Sequence, residues 1–151
     1  SMRTKTIDHF LRATWQAVSK MYNEEASRYG ATMSTGLALL SIDAEEGVPS
    51  TSLGPRMGME STSLSRTLKT MENQGLIRRE PNPEDGRGVL IRLTKEGLEK
   101  RSLSRDVVMQ FNRVIEESVS PKELESFYKV IELILQKVQE KTIFIPQKQV
   151  S

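Results

Sequence analysis

Residues 60–94 read ESTSLSRTLKTMENQGLIRREPNPEDGRGVLIRLT. Leu64, Leu68 and Met71 fall four and three apart, which is one apolar stripe of an α-helix over about 61–74, and Leu76 and Ile77 carry that core onward. Ser61 or Thr62 is placed to cap the helix, and Gly75 to stop it. Two short extended runs follow, 77–80 and 89–93, joined by Pro81-Asn-Pro-Glu-Asp-Gly-Arg-Gly88. The prolines stiffen this loop, Gly86 and Gly88 permit positive φ, and Arg87 is expected to project from its tip.

The face of the 61–74 helix opposite the stripe carries Thr62, Ser63, Ser65, Arg66, Lys69 and Thr70. Small hydroxyls beside Arg and Lys let a helix lie deep in the DNA major groove, donating to phosphates and base edges without bulk. An ordinary solvated helix face has the same composition, so the face alone does not decide. A single arginine on a stiff hairpin suits the narrow minor groove, where negative potential is strongest; the plain alternative is a surface hairpin with a solvated Arg87. Arg78, Arg79, Arg92 and Lys95 flank the pair as candidate phosphate neutralisers. Seven basic side chains stand against four acidic ones between residues 61 and 95, although the whole chain is only +2.

Upstream, residues 5–29 read as one long amphipathic helix. Ile7, Phe10, Leu11, Thr14, Val18, Met21, Tyr22, Ala26 and Tyr29 repeat at helical spacing, Trp15 adds apolar surface beside them, and Gly30 ends the run. A second helix is expected over 35–46, capped by Ser34, with Leu37, Leu40 and Ala44 on one face and Leu39 and Ile42 beside it, ended by Gly47 and Pro49. A short third helix is expected over about 52–58, capped from Ser50, Thr51 or Ser52, with Leu53 and Met57 inward. Gly54-Pro55 is awkward there, so the helix should be short or start late. Downstream, Thr94 caps a helix over about 95–118. Ser120-Pro-Lys-Glu123 is a capping box with proline at its first helical position, and it opens a last helix to about 140. Leu124, Phe127, Tyr128, Ile131, Ile134, Leu135 and Val138 on that helix resemble a coiled-coil seam. The tail over 142–151, with Ile143-Phe-Ile145 before Pro146, is expected to fray or dock on a partner.

The 151 residues suit one domain, mainly α-helical with a small antiparallel β-hairpin. Hydrophobic residues are a lean 36%, which with long periodic helices points to a core shared with a second chain. No apolar run approaches the ~18 residues of a membrane span, and the expected compartment is the cytoplasm. With no cysteine and one histidine, thiol redox chemistry, disulfides and a zinc site are not expected. No glycine-rich phosphate loop or catalytic constellation appears, so neither catalysis nor a cofactor is expected.

Residues 53–97 closely resemble the MarR family of winged helix-turn-helix regulators. The resemblance is carried by Leu53, Met57-Gly58, Leu64-Ser65-Arg66, Met71-Glu72, Gly75-Leu76-Ile77, Asn82-Pro-Glu-Asp-Gly-Arg87 and Leu93-Thr94-Lys-Glu-Gly97. Gly54-Pro55 departs from the helix-favouring pair usual in the family. The resemblance implies a homodimer built by terminal helices (about 5–29 and 95–140) around a winged helix-turn-helix lobe (about 35–94). It implies a helix in each major groove of a pseudo-palindromic DNA site and a wing in the flanking minor groove. It also implies repression relieved by a small lipophilic or aromatic ligand, held between the helical and DNA lobes; His9, Arg12, Trp15 and Met33 are the candidates to line that pocket. The alternative is a non-catalytic protein-interaction module on the same dimeric frame, to which the acidic wing residues Glu84 and Asp85 lend weight.

Overall fold

A computed structural model describes residues 4–144 and 146. The order is α1 (Ile7–Ser27), α2 (Met33–Ser41), β1 (Val48–Pro49), α3 (Ser50–Met57), α4 (Ser61–Asn73), β2 (Ile77–Asn82), β3 (Asp85–Leu93), α5 (Lys95–Ser118) and α6 (Pro121–Gln139). The chain divides into two compact units, residues up to Val107 and residues from Val108.

The first unit holds the core. Ala38, Leu39 and Ile42 of α2 and its exit, Val48 of β1, Leu53 of α3, Leu64, Leu68 and Met71 of α4, Leu76 of the turn after it, and Ile77, Ile91 and Leu93 of the sheet pack as one buried cluster. The sheet has the order β1-β3-β2, antiparallel throughout. The α4 stripe and its continuation into Leu76 and Ile77 are as the periodicity predicts.

Four local expectations need correction. First, α2 is capped by Thr32, whose side chain accepts from Thr35 N–H, and it ends at Ser41. It buries Thr35, Ala38 and Leu39, followed by Ile42 beyond its end, instead of the predicted Leu37, Leu40 and Ala44. The stretch is apolar on nearly every side, so periodicity alone misplaces its inward face. Second, α3 begins at Ser50 and contains Pro55, with no side-chain cap. Proline disfavours helical backbone in the residue before it by crowding that residue's N–H and Cβ, and Gly54 lacks the Cβ. Gly58, at φ +63°, then closes α3: Met59 N–H reaches Gly54 O at 3.1 Å and Gly58 N–H reaches Pro55 O at 3.4 Å. Third, Glu60 and not Ser61 or Thr62 stands at the N-cap of α4, with no side-chain capping bond. Fourth, β1 was not expected at all; it is two residues long and pairs Val48 with Ile91 and Pro49 with Leu90.

Downstream of the sheet the predicted boundaries hold. Thr94 Oγ1 accepts from Gly97 N–H at 3.0 Å and donates to Gly75 O, so one hydroxyl both caps α5 and ties it to the turn after α4. A Cβ on Gly97 would lie 2.0 Å from Leu76 O, so only glycine fits there. At the start of α6, Glu123 N–H donates to Ser120 Oγ at 3.1 Å and Ser120 N–H to Glu123 Oε1 at 2.9 Å, with Pro121 at the first helical position.

The end of α2 and the turn after it are gripped from three elements. Arg101 of α5 donates to Leu39 O at 3.1 Å, Arg56 of α3 to Ser41 O at 3.3 Å, and Arg92 of β3 to Glu45 O at 2.9 Å. Cations at the C-terminal end of a helix meet its unpaired carbonyls and its dipole favourably.

The long helices are different in kind. Neither α1 nor α6 contains a buried residue, and α5 buries only Gly97. Ile7, Phe10, Trp15, Phe127, Leu135 and Val138 are all more than two-fifths exposed. In the tail Ile143 and Phe144 are exposed, at 54% and 94%; residues 145 and 147–151 lie outside the described residues, and with them most of the expected tail behaviour.

Candidate nucleic-acid interface

The buried stripe of α4 fixes which face is free. With Leu64, Leu68 and Met71 inward, Thr62, Arg66 and Lys69 at i, i+4 and i+7 form an outward row, with Ser65 and Ser63 to either side. All five are exposed. Among the described residues, no ion pair or side-chain hydrogen bond engages Arg66 or Lys69; the only link there is Thr70 Oγ1 to the Arg66 carbonyl at 3.1 Å. The row therefore presents two uncommitted cations and three hydroxyls.

The wing differs from its predicted outline. Its strands pair as far as Asn82 with Asp85, so the turn is Pro83-Glu84 and Arg87 lies in β3, not at the tip. Between Pro81, paired with Val89, and Asn82, paired with Asp85, the register slips and residues 86–88 bulge. Proline at 81 is tolerated because β2 is an edge strand. Gly86 and Gly88 do not take positive φ. Gly88 serves another purpose: a Cβ there would sit 3.2 Å from Asp85 Oδ2, a tight contact that would press on that carboxylate. Asp85 Oδ1 accepts from Arg87 N–H at 3.1 Å, and Asn82 Oδ1 accepts from Glu84 N–H at 3.1 Å. Asp85 thus holds the backbone at Arg87, whose own side chain is exposed and, among the described residues, unpaired.

The flanking cations divide. Lys95 is exposed and unpaired among the described residues. Arg79 is 3.4 Å from Glu72 Oε2 of α4, and Arg78 is 3.5 Å from Glu80 Oε2. Arg92 is the most committed: its Nε donates to Glu80 Oε1 and its terminal nitrogen to Glu45 O. Arg78 and Arg92 lie directly opposite each other on the ribbon, and Glu80 stands between them. The Arg92 hydrogen bond, helped by both positive charges, holds the Glu80 carboxyl below its ordinary range.

The four candidates for a ligand pocket do not converge within the first unit. Met33 N–H donates to Asn23 Oδ1 at 2.9 Å, which places it beside the C-terminal part of α1. His9 lies fourteen residues earlier than Asn23, about 21 Å along the helix. His9 meets the ring of Phe10 edge-on at 5.6 Å, Arg12 is 3.8 Å from Asp8, and Trp15 is 55% exposed. A cleft of about 570 Å³, which the sequence did not suggest, lies instead between α3 and α4, against Pro55, Met59, Leu64, Ser65 and Arg79. Among the described residues no cluster of three or more His, Cys, Asp or Glu could hold a metal, and no helix is long and apolar enough to cross a membrane.

Residues 31–89 match the MarR family model. The chain is 36% identical over 87 residues to the organic hydroperoxide resistance transcriptional regulator of Bacillus subtilis; the match covers 58% of this chain and 59% of that protein's length. Among solved structures, the S. aureus MepR–DNA complex is similar with a TM-score of 0.79 at 17% identity, covering 89% of this chain and 99% of that one. The PcaV regulator from Streptomyces coelicolor in complex with its natural ligand is similar with a TM-score of 0.71 at 23% identity, over 89% and 98% of the two chains. The segment that carries α4 and most of the wing, residues 31–89, is thus similar to the MarR family, and the described residues share the fold of these winged-helix structures.

Proposed function

We propose that the protein is a DNA-binding transcriptional regulator that acts as a homodimer. The observation that carries this is the set of uncommitted cations and hydroxyls on the free face of α4, beside a wing whose Asp85 and Gly88 serve to hold Arg87. The Bacillus relative is itself a transcriptional regulator. In this reading Thr62, Ser63, Ser65, Arg66 and Lys69 enter the major groove, and Arg66 reads a base, its fork matching guanine O6 and N7. Arg87 enters the minor groove, while Lys95, with Arg78 and Arg79 once exchanged from their carboxylates, neutralises phosphate. The exposed apolar faces of α1, α5 and α6 supply the second half of the reasoning: a partner copy would bury them. Two-fold symmetry then requires half-sites about one helical turn, ~34 Å, apart.

Repression released by a small lipophilic or aromatic ligand is the finer part of the proposal. Its support is the likeness to PcaV, which binds a natural ligand. Release through thiol oxidation is not open to these 151 residues, which include no cysteine. Fluorescence anisotropy against a library of duplexes, repeated across a salt series, tests the core claim. Arg66→Ala should weaken the selected duplex by roughly 1–3 kcal/mol and relax one base position. Equal binding of the variant and the wild type to selected and scrambled duplexes would remove Arg66 from the reading role.

A further inference from the structure

We infer that Arg92 is a wing-positioning residue that itself touches no DNA, acting through Glu80 on one side and the Glu45 carbonyl on the other. The inference rests on the DNA-binding reading for its consequence, but its geometry belongs to the free protein.

The wing has little else to orient it. No residue from 78 to 89 belongs to the buried cluster, so apolar anchoring of the ribbon ends at its root, with Ile77, Leu90, Ile91 and Leu93. At its root, however, Arg92 spans two elements. Its Nε meets Glu80 on the edge strand β2, and Glu80 also holds Arg78. Its terminal nitrogen meets the carbonyl of Glu45, in the turn between α2 and β1, at 2.9 Å.

That turn is built to receive it. Asp43 Oδ1 accepts from Glu45 N–H at 2.9 Å and from Glu46 N–H at 2.7 Å, and Gly47 N–H reaches Asp43 O at 3.0 Å, so the Glu45 peptide is anchored. Gly47 stands at φ +73°, where a Cβ would lie 2.5 Å from Ile91 O and 3.0 Å from Arg92 Cγ. The turn thus lies directly against the stem of Arg92. Arg92 directs two of its five N–H donors at acceptors within the protein, whereas, among the described residues, Arg66 and Arg87 direct none of their side-chain donors inward. Arg87, at the far end of the same strand, inherits its position from this root.

Two measurements on the full chain decide the matter. In the free protein, amide hydrogen exchange between residues 82 and 89 should quicken in Arg92→Met, which keeps the stem and removes the guanidinium, and also in Glu80→Gln, which leaves Arg92 intact. Unchanged wing exchange in both variants overturns the inference, whether or not any DNA binds. On DNA, Arg87→Ala and Arg92→Met should each lose affinity about tenfold or more, and the double variant should lose no more than Arg87→Ala alone. A phosphate contact predicts otherwise: in the Arg87→Ala background, Arg92→Met would lower affinity further and reduce the salt slope by ~0.9. Absence of all duplex binding by the wild type would sink the regulator reading, while the exchange measurement would still judge the clamp.

Discussion

At the scale of single residues, the family-like motifs turn out to be contacts. The run Leu93-Thr94 with Gly97 is one joint: Thr94 caps α5 and donates to Gly75 O, while Gly97 lets α5 start against the Leu76 carbonyl. Gly97→Ala should therefore destabilise the protein by at least ~1–3 kcal/mol, as forced overpacking does, and urea denaturation followed by circular dichroism measures it. Thr94→Ala should cost ~0.5–2 kcal/mol as a lost cap. A smaller loss for Gly97→Ala than for Thr94→Ala would contradict the packing argument, since one strikes rigid backbone and the other removes a hydroxyl. The sequence pointed to these residues but not to their reason. Position 97 is three residues beyond the cap, and its close neighbour, Leu76, is twenty-one residues earlier.

At the scale of elements, legibility follows how local the cause is. The bounds of α5 and the capping box of α6 are set by residues within one turn, and they were readable. The strand β1 was not: two residues ending in proline carry no strand pattern, and only pairing with β3 makes them a strand. The inward face of α2 was misread because an apolar stretch without polar punctuation leaves its rotation to tertiary packing. The place of Arg87 was misread because a bulge moves it away from the turn. The two bonds of Arg92 were not legible because its acceptors, Glu80 and Glu45 O, lie twelve and forty-seven residues away. The clamp has a pH signature. Glu80 titrates below its ordinary range in the folded protein, so its contribution is fully present above the ordinary glutamate value and is lost as pH falls through the lower, folded value. Glu80→Gln should thus be less stable than wild type at neutral pH, and the gap should narrow in acid. A gap that widened in acid would show that the Glu80 charge opposes folding.

At the scale of the whole molecule, apolar surface is the dominant fact. A chain whose terminal helices bury nothing, yet carry Phe10, Trp15, Phe127 and Leu135 outward, should self-associate. Sedimentation should find a dimer, with a thermal midpoint that rises with concentration. Phe127→Asp with Leu135→Asp should shift the mass toward monomer while leaving the fold of residues 31–89 intact by circular dichroism and by the exchange of its core amides. A stable monomer in the wild type would remove the two-headed arrangement on which the half-site spacing depends. Within the first unit, the grip on the end of α2 has a genetic consequence. Arg56 and Arg101 spend their side-chain hydrogen bonds on main-chain oxygens, and Arg92 spends one of its two so. An oxygen of the peptide backbone survives every substitution at its own position. Ser41 and Glu45 are therefore free to drift without breaking the grip, while each arginine is one codon change from releasing it. Tolerance in this grip is lopsided: its main-chain recipients are permanent, while its arginine donors are heritable liabilities.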